Sequence, residues 1–332
     1  MSEGSEQLPC LADIQQAHER IRPYIHRTPV FTSTTADARC ERKAFFKCEN
    51  LQKTGSFKAR GALNAVLRLK EKSGDKSKVI THSSGNHAQA LAWAANMAGI
   101  PCTVVVPNNT PITKINAMKS YGANVVLCEP TVEGRKGTCD RLAAEQGATY
   151  ISSCDHFDIV SGQGTIALEF LEDVPDLDAV LVPVSGGGMV SGIATAGKAI
   201  RPQLKVFAVE AKGKDLERSL KAGERLWPNP PQMVDTIAEG IRLQQLGHLP
   251  WLIALKLVEK DVFTVDNEAI IEGMKFSFER MKLVIEGASG AGVAALFSDR
   301  LKKMSPDLLK VGVILCGGNL DLDHLPWVTS NQ

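Results

Sequence analysis

From residue 78 onward, short apolar runs alternate with stretches whose apolar positions recur every three or four residues. "KVITHSS" (78–84) predicts a strand, "NHAQALAWAANMAGI" (86–100) a helix, and "PCTVVVP" (101–107) a second strand. "ITKINAMKSYGA" (112–123) is again helical and "NVVLCEP" (124–130) a third strand. "GRKGTCDRLAAEQGA" (134–148) and "TYISS" (149–153) extend the unit by one helix and one strand. Strands alternating with helices predict a parallel sheet.

The same alternation resumes after residue 158. "DIVSGQGTIALEFLEDV" (158–174) is helical, "DAVLVPV" (178–184) a strand, "GGGMVSGIATAGKAI" (186–200) a turn plus helix, and "KVFAVEA" (205–211) a strand. Helices follow in "NEAIIEGMKFSFERM" (267–281) and "SGAGVAALFSDRLKKM" (289–304), and "KVGVILCGG" (310–318) is a buried strand ending in glycines. The proline-rich "RLWPNPPQM" (225–233) predicts a surface loop. No internal repeat or low-complexity tract interrupts the pattern, so the fold class is α/β with parallel sheets, which bind ligands at the carboxyl ends of their strands.

Composition narrows the class. At 332 residues, 44% hydrophobic and 23% charged, the chain can build two ordinary cores. Lys and Arg number 38 against 37 Asp and Glu, so no charge excess points to nucleic acid or an anionic membrane. The N-terminus is polar and no apolar run reaches the roughly 18 residues that cross a bilayer, so a cytoplasmic protein is expected. Eight scattered cysteines without C-x-x-C spacing are expected to be free thiols.

Three strand-to-helix or strand-end turns carry candidate chemistry. In "SGGGM" (185–189), consecutive glycines let backbone N–H groups converge on an anion at a helix N-terminus; a tight structural turn would look the same. In "THSSGNHAQ" (81–89), short polar side chains either cap the helix or leave its N–H groups for a carboxylate. In "LCGGN" (315–319), Cys316 taken alone is a core thiol. A fourth stretch, "KTGSFKARG" (53–61), sets Lys58 after Phe57 among small residues. Locally Lys58 is either a surface charge or, if the loop folds inward, a desolvated amine able to act as nucleophile or base.

Taken together and in this order, "TGSFKARGA", "SSGNH", "SGGGM" and "CGGN" resemble the fold-type II pyridoxal-phosphate enzymes, and within them the serine racemases and the serine and threonine dehydratases, over roughly residues 10 to 328. The resemblance implies two parallel-sheet α/β domains with the cofactor between them: a large one from 1–77 and 158–332, and a small inserted one from 78–157. Lys58 would join the cofactor aldehyde and then act as base on one face of the substrate Cα, with Phe57 beside the ring. Ser185, Gly186, Gly187, Gly188 and Met189 would bind the cofactor phosphate, Asn86 the ring hydroxyl, and Glu286 would also line the cofactor. Ser83, Ser84, Asn86 and His87 would hold the substrate carboxylate. Serine at 84 matches the racemases, which use it on the opposite face, whereas pure dehydratases resemble "SAGN". Cys316 falls against the pyridine nitrogen, where serine racemases usually carry serine and serine dehydratases cysteine. A neutral thiol, with a reference pKa of roughly 8.5, leaves that nitrogen unprotonated and discourages transamination.

Further expectations follow from the resemblance. Glu210, Lys214 and Asp215 stand at the place of a divalent-cation site for Mg²⁺, Ca²⁺ or Mn²⁺, although Leu216 occupies a position where relatives carry a carboxylate. Lys53, Thr54, Gln89, Lys114 and Tyr121 match an activating nucleotide (ATP) site at the interface of a homodimer. Where dehydratases read like "HPFDDP", this chain has "SSCDHFD", and Ser152 and Ser153, with Arg135 on the neighbouring helix, would bind a substrate side-chain carboxylate. The expected function is racemisation of serine with accompanying β-elimination. The alternatives are aspartate racemisation, L-serine or L-threonine dehydration and, of another class, a pyridoxal-phosphate-binding protein without turnover.

Overall fold

Residues 7–328 are described in a computed structural model of the chain. Among these described residues, ten strands form two sheets. The larger has the order β1-β2-β10-β7-β8-β9, with β1 Val30–Thr32, β2 Lys43–Lys47, β7 Ala179–Pro183, β8 Lys205–Ala211, β9 Phe263–Val265 and β10 Lys310–Ile314. The smaller has the order β5-β4-β3-β6, with β3 Val79–His82, β4 Cys102–Pro107, β5 Asn124–Cys128 and β6 Thr149–Tyr150. All pairings are parallel except β1 with β2. Strands β4 and β7 are buried along their whole length, which is why they read as unbroken apolar runs rather than alternating ones.

Three expected elements differ in extent. The strand foreseen over 149–153 pairs only through Tyr150; the Ile151 N–H still reaches the Ile80 carbonyl at 2.9 Å, but Ser152 Oγ then accepts the Asp155 N–H at 3.1 Å and turns the chain. The helix over 267–281 is α-helical to Phe276 and ends in one π turn, Ser277–Met281. The helix over 289–304 begins at Gly287, stops at Leu296, and restarts over Asp299–Lys302 with Ser298 Oγ capping the Leu301 N–H. Helices Leu11–Ile21 and His248–Leu257 and strands β1, β2 and β9 have no counterpart in the sequence pattern read above.

Helix Lys58–Ser73 packs on Asn86–Ala98, beside the smaller sheet, and on Phe157–Asp173, and so links the two layers. Its approach to Phe157–Asp173 is backbone to backbone: a Cβ on Gly162 would lie 2.6 Å from Gly61 Cα, closer than atoms can approach. Beneath this contact lies a dry charge quartet. The Arg60 guanidinium donates to both oxygens of Glu49 and both of Glu169 at 2.7–2.8 Å, and Lys47 Nζ donates to Glu169 and the Thr28 carbonyl, each at 2.7 Å. Arg60, Lys47 and Glu49 are fully buried, and Glu169 nearly so. Burial alone would raise the Glu169 pKa, but its hydrogen bond to Arg60 and the charges of Arg60 and Lys47 outweigh that and hold it at about 2. The quartet fixes the start of the helix that carries Lys58.

Candidate functional site

Lys58 opens its helix, and the strand-like segment before it is stitched to the end of β10. Ser56 bridges Gly317, the Phe57 N–H donates to the Cys316 carbonyl at 3.0 Å, and the Gly318 N–H to the Gly55 carbonyl at 2.9 Å. The lysine therefore stands on the larger sheet. Its Nζ lies 5.0 Å from the Phe57 ring centre and donates to the Ser153 carbonyl at 2.6 Å. Desolvation lowers its pKa, opposed by the nearby Cys154, Cys316 and Glu286. Of the two local readings of Lys58, the structure selects the desolvated amine.

The glycine turn faces the same space. It leaves β7 and enters helix Gly188–Ile200, with Gly187 at φ +91°, a conformation suited to glycine. A Cβ on Gly186 would lie 2.2 Å from Cys154 Sγ, so only bare backbone fits between that thiol and the turn. Cys154, adjacent to the carbonyl that receives Lys58, thus joins the lysine to the glycine turn.

At the end of β10, Cys316 is buried and its thiol pKa is driven up by desolvation, so it is neutral. Ser289 holds this corner: its Oγ donates to the Gly317 carbonyl at 2.8 Å, accepts the Gly317 N–H at 3.0 Å, and lies 3.5 Å from Cys316 Sγ. Asn86 Nδ2 donates to both Glu286 oxygens at 3.0 Å, and Asn319 Nδ2 donates to Asn86 Oδ1 at 2.9 Å and the Thr54 carbonyl at 2.8 Å. Burial raises the Glu286 pKa to about 7 against the opposing Asn86 hydrogen bond.

Ser83, Ser84 and Gly85 link β3 to helix Asn86–Ala98, whose first N–H groups have no intrahelical acceptor. Ser84 is half-buried on this turn, and Gly85 has no atom within 4 Å of where a Cβ would stand. His87 is the second residue of that helix. Its Nε2 faces the Ile151 carbonyl at 3.1 Å, burial and the Lys58 charge lower its pKa to about 3, and buried Nδ1 has no partner. With Nε2 as the donor, Nδ1 can only accept, so it is the backbone of His87, not its ring, that can meet a carboxylate.

The proposed substrate-side group is only partly assembled. Ser152 Oγ is engaged with backbone N–H groups of Cys154 and Asp155, and Ser153 contributes its carbonyl to Lys58. Arg135 lies on helix Val132–Gln146 with Nε donating to the Thr131 carbonyl, and forms no ion pair among the described residues. Its charge depresses the His82 pKa, second to desolvation, which places it near the face where His82 stacks on Tyr150. Of the nucleotide set, Lys53 and Thr54 lie on the turn that packs against the helix bearing Gln89, and Lys114 and Tyr121 lie on and beside the next helix, Ile112–Ser120. Lys114 is paired with Glu239 at 2.5 Å, so an anion there must displace a carboxylate.

Glu210, Lys214 and Asp215, the expected divalent-cation positions, lie at the end of β8 and in the turn after it. Each Glu210 oxygen accepts one hydrogen bond, from the Leu216 N–H at 2.8 Å and Thr264 Oγ1 at 2.9 Å. Asp215 is exposed, and Lys214, fully buried, turns its amine onto the carbonyls of Ser185, Leu243 and Gln244. Among the described residues no group of three or more His, Cys, Asp or Glu side chains is placed to hold a metal.

The remaining donors fit pyridoxal phosphate. A bare-backbone cradle opens a helix for a phosphate, a desolvated amine stands between it and a neutral thiol, and His87 Nδ1 is an unpartnered buried acceptor. Cys154, Ser289 and Asn319 were not singled out from sequence. Only the adjacency of Cys154 to the serine pair offered a signal for it.

The chain is similar over nearly its whole length to known proteins. The family model described as "Pyridoxal-phosphate dependent enzyme" matches residues 21–317. The chain is 41% identical over 328 residues to a serine racemase of Oryza sativa subsp. indica, covering 97% of this chain and 95% of the relative. Its fold is similar to that of a pyridoxal 5'-phosphate-dependent aspartate racemase, at 55% identity and TM-score 0.95 over 97% of this chain and 100% of the other. Maize serine racemase is similar at 42% identity and TM-score 0.91, over 96% and 95%.

Proposed function

The chain belongs to the pyridoxal-phosphate dependent enzymes, and from that footing we propose that it is an amino acid racemase with accompanying β-elimination, interconverting L- and D-serine. The observation that carries this is the amine of Lys58, desolvated and 2.6 Å from the Ser153 carbonyl, in one space with the glycine turn and Cys316. Bound pyridoxal phosphate draws electrons from the substrate Cα and so acidifies its proton.

The residues of the chain divide the remaining work. The backbone of Ser185–Met189 binds the phosphate, with the helix N-terminus adding its partial positive charge. Lys58 would hold the cofactor aldehyde and would take the Cα proton on one face. The hydroxyl of Ser84, on the turn before helix Asn86–Ala98, delivers a proton to the opposite face, and the N–H groups around it hold the substrate carboxylate. Cys316, being neutral, would leave the ring nitrogen of bound pyridoxal phosphate without a charged partner, which would favour proton return at Cα over transamination. Loss of a β-hydroxyl is the companion exit. The large unit of 1–77 and 158–332 then presents the cofactor, and the small unit of 78–157 presents the substrate carboxylate, in keeping with the sheet to which each turn belongs.

Aspartate is the second reading. It is favoured by the 55% identity to an aspartate racemase and by Arg135, which pairs with no carboxylate among the described residues. We further place the enzyme in the cytoplasm as a homodimer with a nucleotide site at Lys53, Thr54, Gln89, Lys114 and Tyr121. Chiral chromatography of the cofactor-loaded protein incubated with L-serine, L-aspartate and L-threonine tests these readings side by side. D-serine with pyruvate is expected; keto acids without any D-isomer would favour a dehydratase, and absence of Cα proton exchange with all three would remove enzymatic turnover altogether.

A further inference from the structure

We propose that the side chain of Lys214 is a built-in cation that takes the place of a divalent metal, tying the phosphate-binding turn to the segment around 243–247. Its Nζ donates to the carbonyls of Ser185 at 2.8 Å and Gln244 at 3.0 Å and also to that of Leu243. Three converging carbonyl oxygens are the ligand type that hard cations select. Three N–H donors exist only on the protonated amine, so this set is matched to an ammonium.

The amine is held from behind. Trp227 Nε1 donates to the Lys214 carbonyl at 2.6 Å, the Lys214 N–H donates to the Ala211 carbonyl at 3.2 Å, and Gly213 turns the chain at φ +98°. Lys214 is fully buried, so this charge cannot exchange with solvent ions as a bound metal does. Burial draws the Lys214 pKa down to about 7, opposed by the charge of Glu210 beside it, whose oxygens each accept one hydrogen bond. Because the Gly247 N–H also donates to the Gly186 carbonyl at 3.0 Å, the segment that Lys214 anchors clamps two successive residues of the turn.

Lys214 is thus a positioning residue for the cofactor phosphate, a part of the proposal that rests on reading 185–189 as the phosphate cradle. The expected results are three. Wild-type apoprotein shows the same unfolding temperature in EDTA, MgCl2 and CaCl2. Lys214→Met, which keeps the volume and removes the charge, retains pyridoxal phosphate roughly tenfold less tightly or worse, as expected for a lost hydrogen-bonded charge. Lys214→Ala, which vacates the oxygen set, is stabilised by millimolar CaCl2 or MgCl2 where the wild type is not. A divalent-ion shift in the wild type that disappears in Glu210→Gln overturns the proposal, as does wild-type cofactor retention by Lys214→Met or a Lys214→Ala variant that folds and ignores both ions. Failure of wild-type protein to bind pyridoxal phosphate at all would instead strike the cradle, and would leave the ion measurements standing.

Discussion

The amine of Lys58 and the backbone carbonyl of Ser153 are hydrogen-bonded at 2.6 Å, although 95 residues separate them in sequence. The pair joins the larger sheet, which carries Lys58, to the loop that follows the last strand of the smaller one. In the resting protein the amine is thereby held against the loop carrying Ser152, Ser153 and Cys154.

Lys58→Ala removes both the covalent anchor and the base. Racemisation and elimination should both fall by at least about 10³-fold, and the visible absorbance of cofactor joined to the chain should disappear. An unchanged visible spectrum in this variant is incompatible with the assignment.

Ser84→Ala separates the two exits. Racemisation of L-serine should drop by roughly 10²-fold while pyruvate formation changes little, because elimination needs no proton on the opposite face. Proportional losses in the two rates would place Ser84 in binding rather than proton transfer.

Arg135→Ala tests the aspartate reading. If Arg135 meets a substrate side-chain carboxylate, kcat/KM for aspartate should fall by about tenfold to a hundredfold with serine nearly unaffected. Equal effects on both substrates remove the argument.

Glu286 predicts a pH signature in the apoprotein. Its pKa is raised on folding from 4.5 to about 7, so between these values the folded state binds more protons than the unfolded one. Its contribution to stability is therefore lost as pH rises through that window, a cost approaching roughly 3 kcal/mol above pH 7. Glu286→Gln lacks this penalty, and its unfolding temperature relative to wild type should climb from pH 5 to 8 and then level. A difference that stays flat across that range contradicts the burial argument.

Gly186→Ala should weaken cofactor retention, because its Cβ would stand 2.2 Å from Cys154 Sγ. Adding Cys154→Gly should restore part of the loss, with a coupling of about 1 kcal/mol or more. Strict additivity would mean that the thiol does not shape the cradle.

Much of this arrangement was legible in the sequence, for identifiable reasons. Strands buried on both faces, such as Ala179–Pro183, announce themselves as continuous apolar runs, and the three turns are recognisable because glycine and short polar residues are needed there. What could not be read depends on distant pairings. Strands Val30–Thr32 and Phe263–Val265 have only three residues each and exist because a neighbour completes their ladders. The turn of the His87 ring toward Ile151, the meeting of Cys154 with Gly186, and the capture of Lys214 by carbonyls from 185, 243 and 244 are likewise set by tertiary packing.

The charge quartet of Lys47, Glu49, Arg60 and Glu169 has a consequence for how such a chain can vary over time. Two cations and two anions cancel in a space closed to water, and removing any one strands an opposite charge at a cost of about 3–5 kcal/mol, a large part of the total stability of a domain. Substitutions at these positions therefore cannot accumulate one at a time. The four behave as a single inherited unit, altered together or retained together, and because Arg60 stands two residues after Lys58, that constraint also bears on the position of the amine.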